Sequence, residues 1–319
     1  MSEMKDHLLI ALNGLEESHL ARIAETLADR ATWERIDEAA PEEIYADKLM
    51  TATALIGWPP VGALLESPVR FHQLPSAGYE KYAGQGLAKK PDYVMCNARG
   101  VMSVPVAEHW VAQMFALSRN LHHYIKDQPR KRWQRQAEHL EITGGTVCIV
   151  GLGDIGTEVA KRALGLGMNV IGVRADATRP HPLTSRVYAV EQIAGAVAGA
   201  DHVVIVCPAN ESTKGLFDRR LLAAMKRRAF IYNLSRGVII DTPALIAALQ
   251  DGHLAGAGLD VFTAEPLPPQ SPLWDMENVI ITPHASGRSV KEHDRMCDLI
   301  CDNLCRFFTA QPLINIIPL

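Results

Sequence analysis

With 319 residues, 48% hydrophobic and 21% charged, the chain has the balance of a soluble globular protein of about two domains with a large core. A net charge of −4 gives no support for a nucleic-acid or other polyanionic partner. No apolar run approaches the roughly 20 residues that span a bilayer, and the acidic N-terminus lacks the form of a secretory signal, so a cytoplasmic protein without a membrane partner is expected.

Through the first hundred residues, apolar runs at 8–12, 51–56, 71–74 and 93–96 predict buried strands, and segments 16–28, 41–47 and 60–66 predict the helices between them. This βαβ rhythm implies a parallel sheet covered on both faces. Asn97-Ala-Arg-Gly100 reads as a joint. One long helix is predicted over 104–124, with Val106, Trp110, Met114 and Leu117 on a stripe suited to packing or subunit contact. The polar stretch 126–141, with Trp133, reads as a surface crossing.

The next segment, Thr146-Val-Cys-Ile-Val-Gly-Leu-Gly-Asp-Ile-Gly156, runs an apolar strand into G-x-G-x-x-G at the start of a helix. There the three glycines have separate tasks. Gly151 permits the turn, Gly153 lets backbone approach a pyrophosphate, and Gly156 lets helix and strand pack closely. The N-terminus of the helix, with Asp154 and Ile155, offers N–H groups and partial positive charge to phosphates. Strands at 169–173, 202–207, 230–233, 257–261 and 279–282 follow, with helices at 220–225 and 243–250, a proline-rich loop at 263–272, and a closing helix at 290–308. Cys297, Cys301 and Cys305 recur every four residues there and read as a packed helical stripe with Leu304 and Phe308. No C-x-x-C pair occurs, and no metal is expected.

The architecture expected is α/β. It has two doubly wound parallel-sheet domains, a Rossmann cofactor domain (residues 101–285) inserted into a flavodoxin-like substrate domain (residues 1–100 and 286–319). Ligands of such folds lie beyond the carboxyl ends of the strands. Three motifs occupy strand ends after the glycine turn: Asn233-Leu-Ser-Arg-Gly237, Leu259-Asp-Val-Phe-Thr-Ala-Glu-Pro266 and Thr282-Pro-His-Ala-Ser-Gly287. They deliver Arg236, Glu265 and His284. Reducing a carbonyl with a bound nicotinamide takes a hydride to carbon and a proton to oxygen. Histidine suits the proton, with an unperturbed pKa of about 6.5, and a carboxylate beside it favours the imidazolium and fixes the tautomer. Arginine suits a carboxylate, which its planar fork binds bidentately. Taken singly, Arg236 could pair with a structural carboxylate, Glu265 could be a loop acid and His284 a buried, satisfied histidine.

With Val106-Ala-Glu-His109, Gly151-Leu-Gly-Asp-Ile-Gly156, Ala257-Gly-Leu-Asp-Val-Phe262 and Thr282-Pro-His284 in order, the chain resembles the D-isomer-specific 2-hydroxyacid dehydrogenases. The likeness is strong from Ala77-Gly78 to His284-Ala-Ser-Gly287 and weak before it. It implies catalytic roles for Arg236, Glu265 and His284. Glu265 also separates the chain from relatives resembling formate dehydrogenases, which carry Gln there. The resemblance further implies cofactor contacts at Cys207, Pro208, Asp260 and Thr157, substrate binding by backbone N–H groups at Ala77 and Gly78, and a homodimer through the long helix. Tyr79 and Trp58 are candidates for the pocket wall, with ordinary packing as the alternative.

Arg174 follows the strand 169–173, where an NAD-specific fold places an acid to bind the ribose hydroxyl. An arginine there, with Arg179 nearby, suits a 2′-phosphate and predicts NADP(H). The alternative is NAD(H), with Arg174 stacking on adenine and Asp176 taking the ribose. The expected activity is NAD(P)H-dependent reduction of small 2-oxo acids of the glyoxylate and hydroxypyruvate class. An NAD-linked dehydrogenase of another D-2-hydroxy acid is one alternative, and a non-catalytic, dinucleotide-gated corepressor-like protein is another. The end of the chain soon after the closing helix suggests no appended regulatory domain.

Overall fold

The computed structural model describes residues 6–136 and 138–318. They fall into two compact units, one of Met1–Met102 with Ser289–Leu319 and one of Ser103–Arg288.

In the first unit, strands β1 (Asp6–Ala11), β2 (Ala31–Arg35), β3 (Ala54–Gly57), β4 (Phe71–Gln73) and β5 (Val94–Cys96) alternate with helices α1 (Glu17–Leu27), α2 (Glu42–Leu49) and α3 (Val61–Glu66). The sheet order is β2-β1-β3-β4-β5, all parallel, with Leu8 opposite Ala54 and Phe71 opposite Val94. That is the flavodoxin-like order, whose switch point lies between β1 and β3. Both faces of β1 are covered. Leu8 and Ile10 enter one apolar cluster, and Leu9 and Ala11 enter another with Tyr45, Leu55 and Tyr82.

The second unit opens with α4 (Ser103–Ser118) and α5 (Leu121–Asp127). The single helix expected over 104–124 is therefore two. Asn120 stands between them at φ 57°, a left-handed conformation that asparagine tolerates better than most side chains. Its side-chain amide donates to the Glu138 carbonyl, and Leu140 N–H donates to Ser118 O at 2.9 Å, so the 128–141 arm folds back onto the break. Periodicity alone cannot register such a stop, because apolar residues resume beyond it.

The seven-stranded parallel sheet follows: β6 (Thr146–Val150), β7 (Asn169–Val173), β8 (Arg186–Tyr188), β9 (His202–Ile205), β10 (Phe230–Asn233), β11 (Gly256–Leu259) and β12 (Val279–Ile281). Helices α6 (Asp154–Gly165), α7 (Ile193–Ala198), α8 (Arg219–Ala224) and α9 (Thr242–Gln250) connect them. The order β12-β11-β10-β9-β6-β7-β8 reverses direction between β6 and β9, the Rossmann pattern with its ligand crevice at that reversal. One apolar cluster fills a face of this sheet, from Cys148 and Val150 through Phe217 and Leu245 to Val279.

The closing helix, α10 (Glu292–Phe308), belongs to the first unit and packs on α1. Its cysteines do not form one packed stripe. Cys297 is buried, Cys301 half-buried and Cys305 exposed. Each step of four residues turns about 40° beyond a full circle at 3.6 residues per turn, so the row drifts off the core. The buried face is Met296, Cys297, Ile300, Asn303 and Leu304. Among the described residues no helix is long and apolar enough to cross a membrane.

Candidate active site

The glycine turn leaves β6 and enters α6. Gly151 has φ 108°, and a Cβ there would lie 2.6 Å from the Cys207 nitrogen, so the turn presses on the backbone beyond β9. A Cβ on Gly156 would lie 2.1 Å from the Gly151 carbonyl oxygen, whereas one on Gly153 would meet nothing within 4 Å. Two glycines thus serve close packing, and the middle one fronts open space. Gly153 is the N-cap of α6, so that open space lies at the positive end of the helix dipole. An open cradle at a helix N-terminus fits a dinucleotide pyrophosphate.

Beyond β7, Arg174 N–H donates to Tyr188 O at 3.1 Å. The Asp176 carboxylate is held below its ordinary pKa by the Thr178 hydroxyl above all; burial opposes this, and Thr178 N–H and the charges of Arg179 and Arg174 add to the lowering. His181 completes this corner. Its Nε2 lies 3.1 Å from Thr157 Oγ1, and that hydroxyl donates to Gly153 O at 2.8 Å. Burial and the Arg174 charge lower the pKa of His181. His181 sits in an irregular segment with no motif, so nothing in the sequence marks it. On the other side of the turn, Ser235 Oγ donates to the Cys207 carbonyl, and the Pro208 carbonyl accepts the Thr213 hydroxyl at 2.7 Å.

Arg236 lies three residues beyond β10. Asn233, the last residue of that strand, shapes the loop: its Nδ2 donates to Arg236 O at 3.0 Å and its Oδ1 accepts Ser235 N–H at 3.2 Å. Gly237 follows because nothing larger fits. A Cβ there would lie 1.9 Å from the Phe262 carbonyl carbon, so the loops after β10 and β11 touch backbone to backbone.

Glu265 and His284 meet directly. Glu265 Oε2 is 2.8 Å from His284 Nδ1, and Glu265 Oε1 accepts Phe262 N–H at 2.8 Å. A carboxylate only accepts, so Nδ1 carries a proton and the ring presents Nε2 outward. The His284 side chain is 50% exposed. Asp260, just beyond β11, is fully buried. Its oxygens accept the Thr282 hydroxyl at 2.6 Å, Ala285 N–H at 2.9 Å and Ser286 N–H at 3.0 Å. Burial pushes its pKa up, but the hydrogen bonds from Ser286, Thr282 and Ala285 outweigh this and the net shift is downward.

The glycine turn, Arg236, Asp260, Glu265 and His284 therefore follow carboxyl ends of strands of one sheet. Trp58, Ala77, Gly78 and Tyr79 belong to the other unit, beyond β3 and β4. There the Gly57 carbonyl accepts from His72 Nε2 at 3.0 Å and the Pro59 carbonyl from Tyr82 Oη at 2.9 Å, fixing the backbone on both sides of Trp58. In the 76–79 loop the carbonyls face inward. Ser76 O accepts Ala98 N–H at 2.8 Å, Ala77 O accepts Asn97 Nδ2 at 2.7 Å, and Gly78 O accepts Ser76 Oγ at 2.6 Å. The N–H groups of Ala77 and Gly78 donate to no backbone or side-chain acceptor among the described residues. Trp58 and Tyr79 pack, partly buried, against the apolar cluster of this unit.

A family model for D-isomer specific 2-hydroxyacid dehydrogenases, NAD binding domain, matches residues 111–286. The chain is 31% identical over 291 residues to a glyoxylate reductase of Korarchaeum cryptofilum, covering 85% of this chain and 84% of that protein. The chain belongs to the D-isomer-specific 2-hydroxyacid dehydrogenase family. It is also similar to glyoxylate/hydroxypyruvate reductase B of Yersinia pestis, with 33% identity over 248 residues, 74% of this chain and 73% of that one. A crystal structure of a D-isomer specific 2-hydroxyacid dehydrogenase from Xanthobacter autotrophicus Py2, in complex with NADPH and MES, has the same fold. It shows TM-score 0.79 and 25% identity, and 98% of each chain is covered. As a member of this family the protein is an NAD(P)-dependent oxidoreductase with a Rossmann cofactor-binding domain.

Proposed function

We propose that this dehydrogenase reduces small 2-oxo acids of the glyoxylate and hydroxypyruvate class to D-2-hydroxy acids, with NADPH as preferred reductant and His284 as proton donor. The observation that carries this reading is the Glu265 carboxylate spanning Phe262 N–H and His284 Nδ1. It holds the imidazole in one tautomer and leaves Nε2 to face the substrate carbonyl oxygen. When bound, the reduced nicotinamide supplies the hydride to the carbonyl carbon. His284 gives its Nε2 proton to the oxygen, so the 2-oxo acid gains two electrons and one proton beyond the hydride proton. The Arg236 guanidinium pairs with the substrate carboxylate and polarises the carbonyl. The N–H groups of Ala77 and Gly78 supply further donors to that carboxylate, with Tyr79 and Trp58 as walls. Residues 101–285 are thus the cofactor domain, and residues 1–100 with 286–319 the substrate domain.

Gly151, Gly153, Asp154, Ile155 and Gly156 hold the pyrophosphate in this reading, and Cys207, Pro208 and Asp260 line the cofactor further along. The preference for NADPH rests on Arg174 and Arg179, and on Asp176 being engaged by Thr178. The Xanthobacter relative holds NADPH, and the Korarchaeum and Yersinia relatives carry glyoxylate and hydroxypyruvate in their names. A homodimer completes the reading. Leu121, Ile125 and Trp133 leave apolar surface exposed along the arm after α4, with Trp133 at 99%.

The test is a steady-state panel of glyoxylate, hydroxypyruvate, pyruvate and oxaloacetate against NADPH and NADH. The highest kcat/KM is expected for glyoxylate or hydroxypyruvate with NADPH. A clear NADH preference overturns the cofactor assignment, and turnover confined to other acids overturns the substrate class.

A further inference from the structure

We propose that His109 of α4 is a positioning residue for the reaction, acting through Thr282 and Asp260 to hold His284 in register. The claim rests on His284 being the proton donor, the reading proposed above. A directional hydrogen-bond chain carries it. Thr282 Oγ1 lies 2.6 Å from Asp260 Oδ1, and an ionised carboxylate only accepts, so the hydroxyl proton is committed there. The same Thr282 oxygen lies 3.0 Å from His109 Nε2 and, with its own proton committed, can only be the acceptor of that pair; Gln113 Nε2 lies 3.1 Å from the same ring nitrogen. Gln113, one turn along α4, brings its amide nitrogen to 3.5 Å of this oxygen. Gly258 on β11 makes the room, since a Cβ there would lie 2.4 Å from Gln113 Oε1.

What hangs on Asp260 is the backbone of the proton donor. The Asp260 carbonyl accepts His284 N–H at 2.8 Å, and its carboxylate accepts Ala285 and Ser286 N–H. His284 has φ 51°, a left-handed conformation that costs a non-glycine residue free energy and persists only where its surroundings impose it. Three consecutive residues tied to one fully buried aspartate supply that constraint. Thr282 fixes the carboxylate, and His109 fixes the hydroxyl. Loosening either outer link lets the carboxylate turn and moves the imidazole relative to Glu265. Proton transfer is sensitive to displacements well under 1 Å.

The experiment compares Thr282→Val, Thr282→Ser, His109→Ala and His109→Gln with the wild-type enzyme in NADPH-dependent glyoxylate reduction. Thr282→Val and His109→Ala should each lower kcat about tenfold, with a larger solvent deuterium isotope effect on kcat at saturating NADPH. Thr282→Ser, which keeps the hydroxyl, and His109→Gln, which keeps a donor near the Nε2 position, should recover most of the loss. A Thr282→Val enzyme with wild-type kcat and isotope effect overturns the proposal, even if its melting temperature falls. Equal losses in Thr282→Val and Thr282→Ser overturn it too. His284→Gln measured alongside separates the two claims. If it turns over normally, the proton-donor reading fails and this one with it. If it is inactive while Thr282→Val is normal, only the positioning claim falls.

Discussion

At His284 the chain joins a half-exposed imidazole, a left-handed backbone and a carboxylate partner at 2.8 Å. That combination predicts the outcome at Glu265. Glu265→Gln should lower the reduction rate, because one amide oxygen cannot accept from both Phe262 N–H and His284 Nδ1 as the two carboxylate oxygens do. A wild-type kcat in this variant would contradict the role proposed for the pair. Arg236→Lys should raise the KM for the 2-oxo acid and lower kcat, since a lysine keeps the charge but loses the fork; steady-state kinetics check it. At Arg174 the expectation concerns the cofactor. Arg174→Asp should shift the ratio of kcat/KM for NADPH over NADH by about 10-fold to 100-fold toward NADH, measured with one saturating substrate. An unchanged ratio would leave Arg174 as an adenine-stacking residue only.

Among the elements, the β6–turn–α6 unit was the most legible in the sequence, because three glycines at fixed spacing leave few other structures. Their different surroundings predict different failures. Gly156→Ala must displace the Gly151 carbonyl, 2.1 Å from the new methyl, and should cost about 1–3 kcal/mol of stability in a denaturant titration. Gly153→Val meets open space and should keep its fold while losing cofactor affinity, read by NADPH fluorescence titration. The Arg236, Glu265 and His284 loops were legible for a similar reason, each an ionisable group just past an apolar run. Other elements were hidden. β2 is an edge strand reading Ala-Thr-Trp-Glu-Arg with one buried residue, so no apolar run marks it. β8 is three residues long at an edge of the seven-stranded sheet. α7 is short and built of Ile, Ala, Gly and Val, too uniform for a periodic signal. The stop at Asn120 was invisible because asparagine reaches the left-handed region without announcing it in composition. Asn120→Gly should therefore be tolerated, and Asn120→Ala should cost about 1 kcal/mol, measured by thermal unfolding. His109 stood inside a quoted motif, but only its contact across 173 residues with Thr282 reveals what it touches.

Taken as a whole molecule, each unit carries a histidine at its centre that the fold keeps neutral. His72 is fully buried between Tyr93 Oη at 2.8 Å and Gly57 O at 3.0 Å, and burial pushes its pKa down to about 4. His202 lies beside Tyr232 Oη at 3.1 Å and is likewise lowered to about 4 by burial. Unfolded histidine titrates near 6.5. Above that pH both contributions are fully present. As pH falls from about 6.5 toward 4 the unfolded chain binds protons that the native chain refuses, at about 1.4 kcal/mol per histidine per pH unit. Urea unfolding should show stability dropping over that interval, and His202→Gln should shallow the slope; a flat profile would refute it. The exposed arm carrying Trp133 predicts a two-chain particle by light scattering, and Trp133→Lys should weaken it. The central claim is that an imidazole backed by Glu265 delivers the proton while the rest of the chain binds and aligns. Single-turnover oxidation of prebound NADPH by glyoxylate in His284→Gln tests it most directly. The NADPH affinity should stay within about twofold of wild type and the rate should fall by about 10²-fold to 10⁴-fold. A rate near wild type with NADPH fully bound would contradict it.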